Sequence, residues 1–120
     1  MLRSVVSPLT RGEIKQFSNM AHDAEFRSAD GEKAWRHELA SVSIPMLFLA
    51  GRADRVATPE RVLAFHDAVG SVEKDFVVLS RANGFGGDYG HLDPCCARTV
   101  AVDVFEPIAT WLSDRAGGAR

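Results

Sequence analysis

IPMLFLAGRADRVATP, residues 44–59, decides the fold. Ile44 to Ala50 is a continuous apolar run of strand length, entered through Pro45 and left through Gly51. Such a run predicts a strand buried on both faces, the kind found in parallel sheets. The run opens into a polar loop carrying Asp54, after which Thr58 and Pro59 supply an N-cap and a proline at the first helical position. Open α/β sheets keep their sites just past the carboxyl ends of parallel strands. Asp54 is therefore the first candidate for chemistry.

Working outward, the helix from Pro59 presents Val62, Phe65 and Val69 on one face and is expected to stop at Gly70. DFVVLS, Asp75 to Ser80, is a second buried-strand pattern, which completes a β-α-β unit with an expected right-handed crossover. A glycine-rich loop, RANGFGGDYG over residues 81–90, then delivers His91. A last amphipathic helix, expected to be interrupted near Pro107, carries Val104, Ile108, Trp111 and Leu112. On the amino-terminal side, Thr10 and Glu13 have capping-box spacing, and Ile14, Phe17 and Ala21 fall on one face, so residues 10–21 read as a helix. Asp30 is expected to cap a second helix, with Trp35 and Leu39 one turn apart. The stretch Arg3 to Leu9 fits either a strand end or an entry loop. The predicted class is α/β, with two parallel strands in a β-α-β-α unit preceded by two helices. Residues 1–40 form a helical segment, 41–115 the α/β segment and 116–120 a flexible tail.

The 120 residues suit about one domain, and 14 Lys and Arg against 16 Asp and Glu give a net charge of −2 with no basic cluster. Nucleic acid is not an expected partner. No apolar run approaches the ~20 residues of a membrane-spanning helix, and Met1 to Thr10 has no core for a secretory signal. A soluble, cytoplasmic protein without membrane association is expected. Cys95 and Cys96 do not argue for an oxidising compartment, and packing at the start of the last helix is their expected role. His22, His37 and His66 lack metal-ligand spacing, and Gly84, Gly86 and Gly87 do not complete G-x-G-x-x-G. Neither a metal nor a cofactor is expected.

Asp54 follows one parallel strand and His91 the next, so both belong at the same edge of the sheet. A carboxylate there can fix the tautomer of a histidine and stabilise the imidazolium once the ring has taken a proton. The plainer readings are a turn-capping aspartate and an exposed loop histidine. Asp88 and Asp93 read as loop and cap residues.

The pattern IPMLFLAGRADRVATPE, followed by DYGHLD and a closing VFEPIATWL, resembles the C-terminal third of α/β-hydrolase fold enzymes, particularly the lipase and esterase branches. The resemblance covers residues 40–115, and residues before Ala40 resemble, more loosely, the end of the family's cap region. It implies that Asp54 matches the triad acid and His91 the triad base. The family's nucleophile is a serine in a G-x-S-x-G turn, followed along the chain by the acid and then the histidine. No serine here stands in that setting: Ser71 follows Gly70 but lacks the second glycine, and Ser80 lies in a strand pattern. The family's oxyanion-hole loop has no counterpart either. Gly86, Asp88 and Gly90 spell G-x-D-x-G, but His91 follows at once and Pro94 precedes any helix, so the elbow context is wrong.

The resemblance thus implies the C-terminal portion of a serine hydrolase for a small-molecule ester or acyl substrate, inactive by itself because its nucleophile is not in these residues. The alternative is a non-catalytic truncated or partner-binding module of the same origin, as a homo-oligomer or beside a complementing N-terminal chain. Phe17, Met20 and Trp35 suit a hydrophobic substrate, and helix packing explains them equally well.

Overall fold

The computed structural model describes residues 9–23, 27–28 and 30–116. The apolar stretch before Leu9 and the tail beyond Ala116 lie outside the described residues. The chain divides into two compact units, residues 1–41 and 42–120.

In the first unit, helix α1 spans Arg11–Asp23. Its start is the expected capping box. The Glu13 carboxylate accepts the Thr10 N–H at 2.6 Å, and the Thr10 hydroxyl accepts the Glu13 N–H at 3.3 Å. Ile14 and Phe17 are 54% and 67% exposed. The second expected helix is corrected. The Asp30 carboxylate accepts the Glu32 N–H at 3.0 Å and the Ser28 hydroxyl, closing a turn instead of capping a helix. Short polar side chains divert the backbone in this way. The helical residues that follow, Trp35–Ser41, form a tight 3₁₀ segment.

In the second unit, β1 (Met46–Gly51) pairs in parallel with β2 (Lys74–Leu79), with Met46 opposite Lys74 and Gly51 opposite Leu79. Helix α2 (Pro59–Ala68) connects them, so the architecture is α/β. The strand starts later than the apolar run. Ile44 is 64% exposed and Pro45 has no N–H to give, so the ladder opens where the Met46 N–H reaches the Glu73 carbonyl at 3.0 Å. Burial on both faces is corrected as well: Phe48, Ala50 and Gly51 are buried and the other β1 residues half-buried. Among the described residues each strand is an edge strand, and burial deepens toward the carboxyl end of the pair.

Thr58 caps α2 as expected, its hydroxyl accepting the Arg61 N–H at 3.4 Å. The helix ends on Val69, not Gly70. Val69 takes an extended conformation that buries its side chain, and the Lys74 ammonium donates to the carbonyls of His66 (2.8 Å) and Val69 (2.6 Å) at the helix end. No glycine is needed there. Rings join α2 to the sheet: Phe48 lies 6.0 Å from Phe65 and 5.3 Å, edge-on, from His66, which in turn lies 6.0 Å from Phe76.

The opposite core consists of Leu79, Tyr89 and Val104, with Leu49, Val77, Phe85, Val100 and Ile108 against them. Beyond His91 come a one-turn helix α3 (Asp93–Cys96), a π-helical turn (Ala101–Phe105) and α4 (Glu106–Ala116). The irregularity expected at Pro107 lies before it, as the π turn. The π turn runs directly into α4, and Pro107, with no N–H to give the preceding turn, stands where the wider register passes into α-helix. Val104 is buried and Ile108 packs on the core, whereas Leu112 is 56% exposed. Asp75 Oδ2 fastens α4 to β2, accepting from the Trp111 indole at 2.6 Å and from Arg115 at 3.0 Å, with the guanidinium 3.8 Å over the Trp111 ring. Cys95 and Cys96 are exposed, which corrects the packing role expected of them. A single-turn helix has no inner face to offer them. Among the described residues no helix is long and apolar enough to cross a membrane.

Gly51 sets the spacing at the strand end, because a Cβ there would run into the Tyr89 carbonyl. Gly51→Ala should destabilise the chain by about 2–3 kcal/mol, within the range of backbone-clash substitutions. Gly87→Ala, which meets nothing within 4 Å, should stay within about 0.5 kcal/mol of the parent. Urea titrations of the two variants check this.

Candidate functional site

The loop after β1 is pinned by its backbone. The Arg52 N–H bonds to the Leu79 carbonyl at 3.1 Å, the Ala53 N–H to the Tyr89 carbonyl at 2.9 Å and the Asp54 N–H to the Gly51 carbonyl at 3.1 Å. These bonds leave the Asp54 side chain buried at the carboxyl end of the sheet. Its two oxygens have separate tasks. Oδ1 accepts the Val56 and Ala57 N–H groups at 2.8 and 2.9 Å, and Oδ2 lies 2.9 Å from His91 Nδ1. The two sequence readings of Asp54, as a turn cap and as a partner of His91, are thus both realised, one on each oxygen.

Burial opposes ionisation of Asp54. The His91 hydrogen bond, the two backbone N–H groups and the histidine's charge together outweigh it and hold the carboxyl below its ordinary value. An ionised carboxylate only accepts, so Nδ1 of His91 carries the hydrogen. That leaves the lone pair of a neutral ring on Nε2. The His91 side chain is 51% exposed, and among the described residues Nε2 has no hydrogen-bond partner. An imidazole so arranged can take a proton at Nε2 while Asp54 stabilises the resulting cation.

The neighbouring acids are structural, as expected. Asp88 accepts the Arg81 N–H at 2.9 Å and Asp93 the Gly90 N–H at 2.6 Å. Ser71 donates to the Glu73 carbonyl at 3.1 Å, and Ser80 accepts the Asn83 N–H at 3.3 Å. Among the described residues no serine, threonine or cysteine side chain is hydrogen-bonded to His91, and no group of three or more metal-ligating side chains comes together.

Sequence reading missed Tyr89 and Asp103. Tyr89 is 2% exposed, and its hydroxyl donates to Asp103 Oδ2 at 2.6 Å and lies 2.7 Å from Thr99 Oγ1. Asp103 Oδ2 also accepts the Gly86 N–H at 2.8 Å. The Tyr89 bond, then the Gly86 bond, hold the Asp103 carboxyl below its ordinary value, and burial, then Asp103, push the Tyr89 phenol up. The one signal in the sequence was a carboxylate set inside the apolar run AVDVF.

No family model matches the chain, and neither a curated protein nor a solved structure matches it.

Asp54 and Asp103 both have folded-state values below the unfolded one, so between the two values the unfolded chain binds more protons. Their stabilisation is complete above the ordinary carboxylate range and is lost as the pH falls below about 4. Asp54→Asn should flatten this acid limb without abolishing it, because Asp103 remains. Thermal midpoints measured from neutral to acidic pH check both the direction and the residual slope.

Proposed function

We propose that Asp54 and His91 are the acid and general base of an α/β-hydrolase-type triad. On this reading the chain is the C-terminal portion of a serine hydrolase acting on a carboxylic ester or similar acyl substrate. The observation that carries it is the 2.9 Å contact between Asp54 Oδ2 and His91 Nδ1, on a histidine whose side chain is half-exposed. The order strand, acid, helix, strand, histidine, closing helix supports it.

The residues divide the work as follows. A serine hydroxyl brought to Nε2 gives up its proton to His91 as it attacks the acyl carbon. Asp54 holds the ring in the required tautomer and balances the imidazolium. The same proton then goes to the leaving group. Asp54 keeps its ionised state throughout because Val56 and Ala57 continue to solvate Oδ1. The serine and the donors for the oxyanion come from a part of the enzyme outside this stretch. A second reading, a module that pairs with another chain without catalysis, draws on the two-stranded sheet. Among the described residues one edge of β1 is unpaired, and its sequence, MLFLAG, carries no charged side chain to guard it.

Fluorophosphonate labelling read by intact mass separates the readings. The purified chain alone should take no label. A tagged copy recovered with its bound partner from native cells should bring down a labelled serine, and His91→Ala should abolish that label. A label on the chain alone that depends on His91 would put the nucleophile inside these residues. A partner whose labelling ignores His91, or that takes no label, would favour the non-catalytic module.

A further inference from the structure

The loop that presents His91 is rich in glycine, and Gly84 within it has a φ of +90°. Such a segment has little intrinsic preference for one path. His91 itself is half-exposed, so packing does not fix its ring. What fixes the path is Tyr89, two residues earlier. Its N–H bonds to the Leu79 carbonyl at 3.3 Å and its carbonyl takes the Ala53 N–H at 2.9 Å, immediately before Asp54. A single residue therefore spans from the histidine loop to the acid loop.

Tyr89 is in turn held by its side chain. A buried phenol needs a partner for its hydroxyl, and an ionised carboxylate is the strongest neighbour available. Asp103 supplies it at 2.6 Å, and the same oxygen takes the Gly86 N–H at 2.8 Å, so one carboxylate grips the loop at two points. Asp103 sits in the middle of the π turn, where the α-helical register is broken. Such turns are rare and recur at functional sites.

We propose that Asp103, acting through Tyr89, is a positioning residue that holds His91 Nδ1 within hydrogen-bond reach of Asp54 Oδ2. This deepens the acid–base reading of the pair and rests on it. Asp103 touches neither a reacting atom nor the imidazole. Its effect reaches the site through the backbone of residues 89–91.

The test follows the Nδ1 proton of His91 by NMR, through its exchange with water, in variants compared at equal distances below their own melting points. Asp103→Ala should speed that exchange by about tenfold, the factor corresponding to the net loss of one hydrogen bond. Asp103→Asn, whose amide oxygen can still accept from Tyr89 and Gly86, should restore most of the protection. Tyr89→Phe removes only the hydroxyl and carries the same expectation as Asp103→Ala should that variant fail to fold. Asp75→Ala is the control. It removes the acceptor that clasps α4 to β2, lowers stability and should leave the proton's exchange as in the parent. Unchanged exchange in both Asp103→Ala and Tyr89→Phe would overturn the proposal, as would equal acceleration in Asp75→Ala. The hydrolase reading is decided separately by serine labelling, so the two can fail independently.

Discussion

The carbonyl of Leu79 accepts two N–H groups, from Arg52 at 3.1 Å and from Tyr89 at 3.3 Å. This one oxygen, on a residue with no exposed surface, ties the end of β2 to the loop after β1 and to the loop that carries His91. The close approach of Gly51 to Tyr89 follows from it, and so does the bond from Ala53 to the Tyr89 carbonyl. Asp54 and His91 are each one or two residues from these fixed points. Their contact is a consequence of how the parallel pair of strands ends.

Polar groups in this region are satisfied with few partners, and the two carboxylates that hold the site are each used more than once. Asp54 divides its oxygens between two backbone N–H groups and a histidine, whereas Asp103 gathers a phenol and a backbone N–H on one oxygen. Both are kept ionised by hydrogen bonds made to the charged form, against the cost of burial. A protonated Asp54 would lose the strength of these bonds and the basis for choosing the histidine tautomer. At the other end of the unit the half-exposed Asp75 takes two donors on one oxygen, the Trp111 indole and Arg115. The apolar core supplies the burial, and these three aspartates set the geometry around it.

The α/β arrangement, the two strands and the meeting of Asp54 with His91 were legible because each rests on a local pattern: apolar runs for the strands, Thr58-Pro59 for α2, and a topology that returns both loops to one sheet edge. Tyr89 and Asp103 were not, since a bond across fourteen positions leaves no periodic trace. Strand burial was overestimated because an apolar run reports what a strand can bury, not how many neighbours cover it. The Gly70 cap and the Asp30 helix failed for local reasons: Lys74 takes the carbonyls at the end of α2, and the Ser28 hydroxyl accepts the Lys33 N–H. The packing role expected of Cys95 and Cys96 assumed that the last helix begins there, whereas they stand on a separate single turn and are exposed.

Asp54 sets the protonation pattern of His91 by keeping an ionised oxygen against Nδ1. The most direct measurement is long-range heteronuclear NMR of the two ring nitrogens of His91 in the parent chain, at a pH where the ring is neutral. A single tautomer is expected, with the hydrogen on Nδ1 and the lone pair on Nε2. A ring carrying its hydrogen on Nε2, or exchanging freely between the two forms, would contradict it.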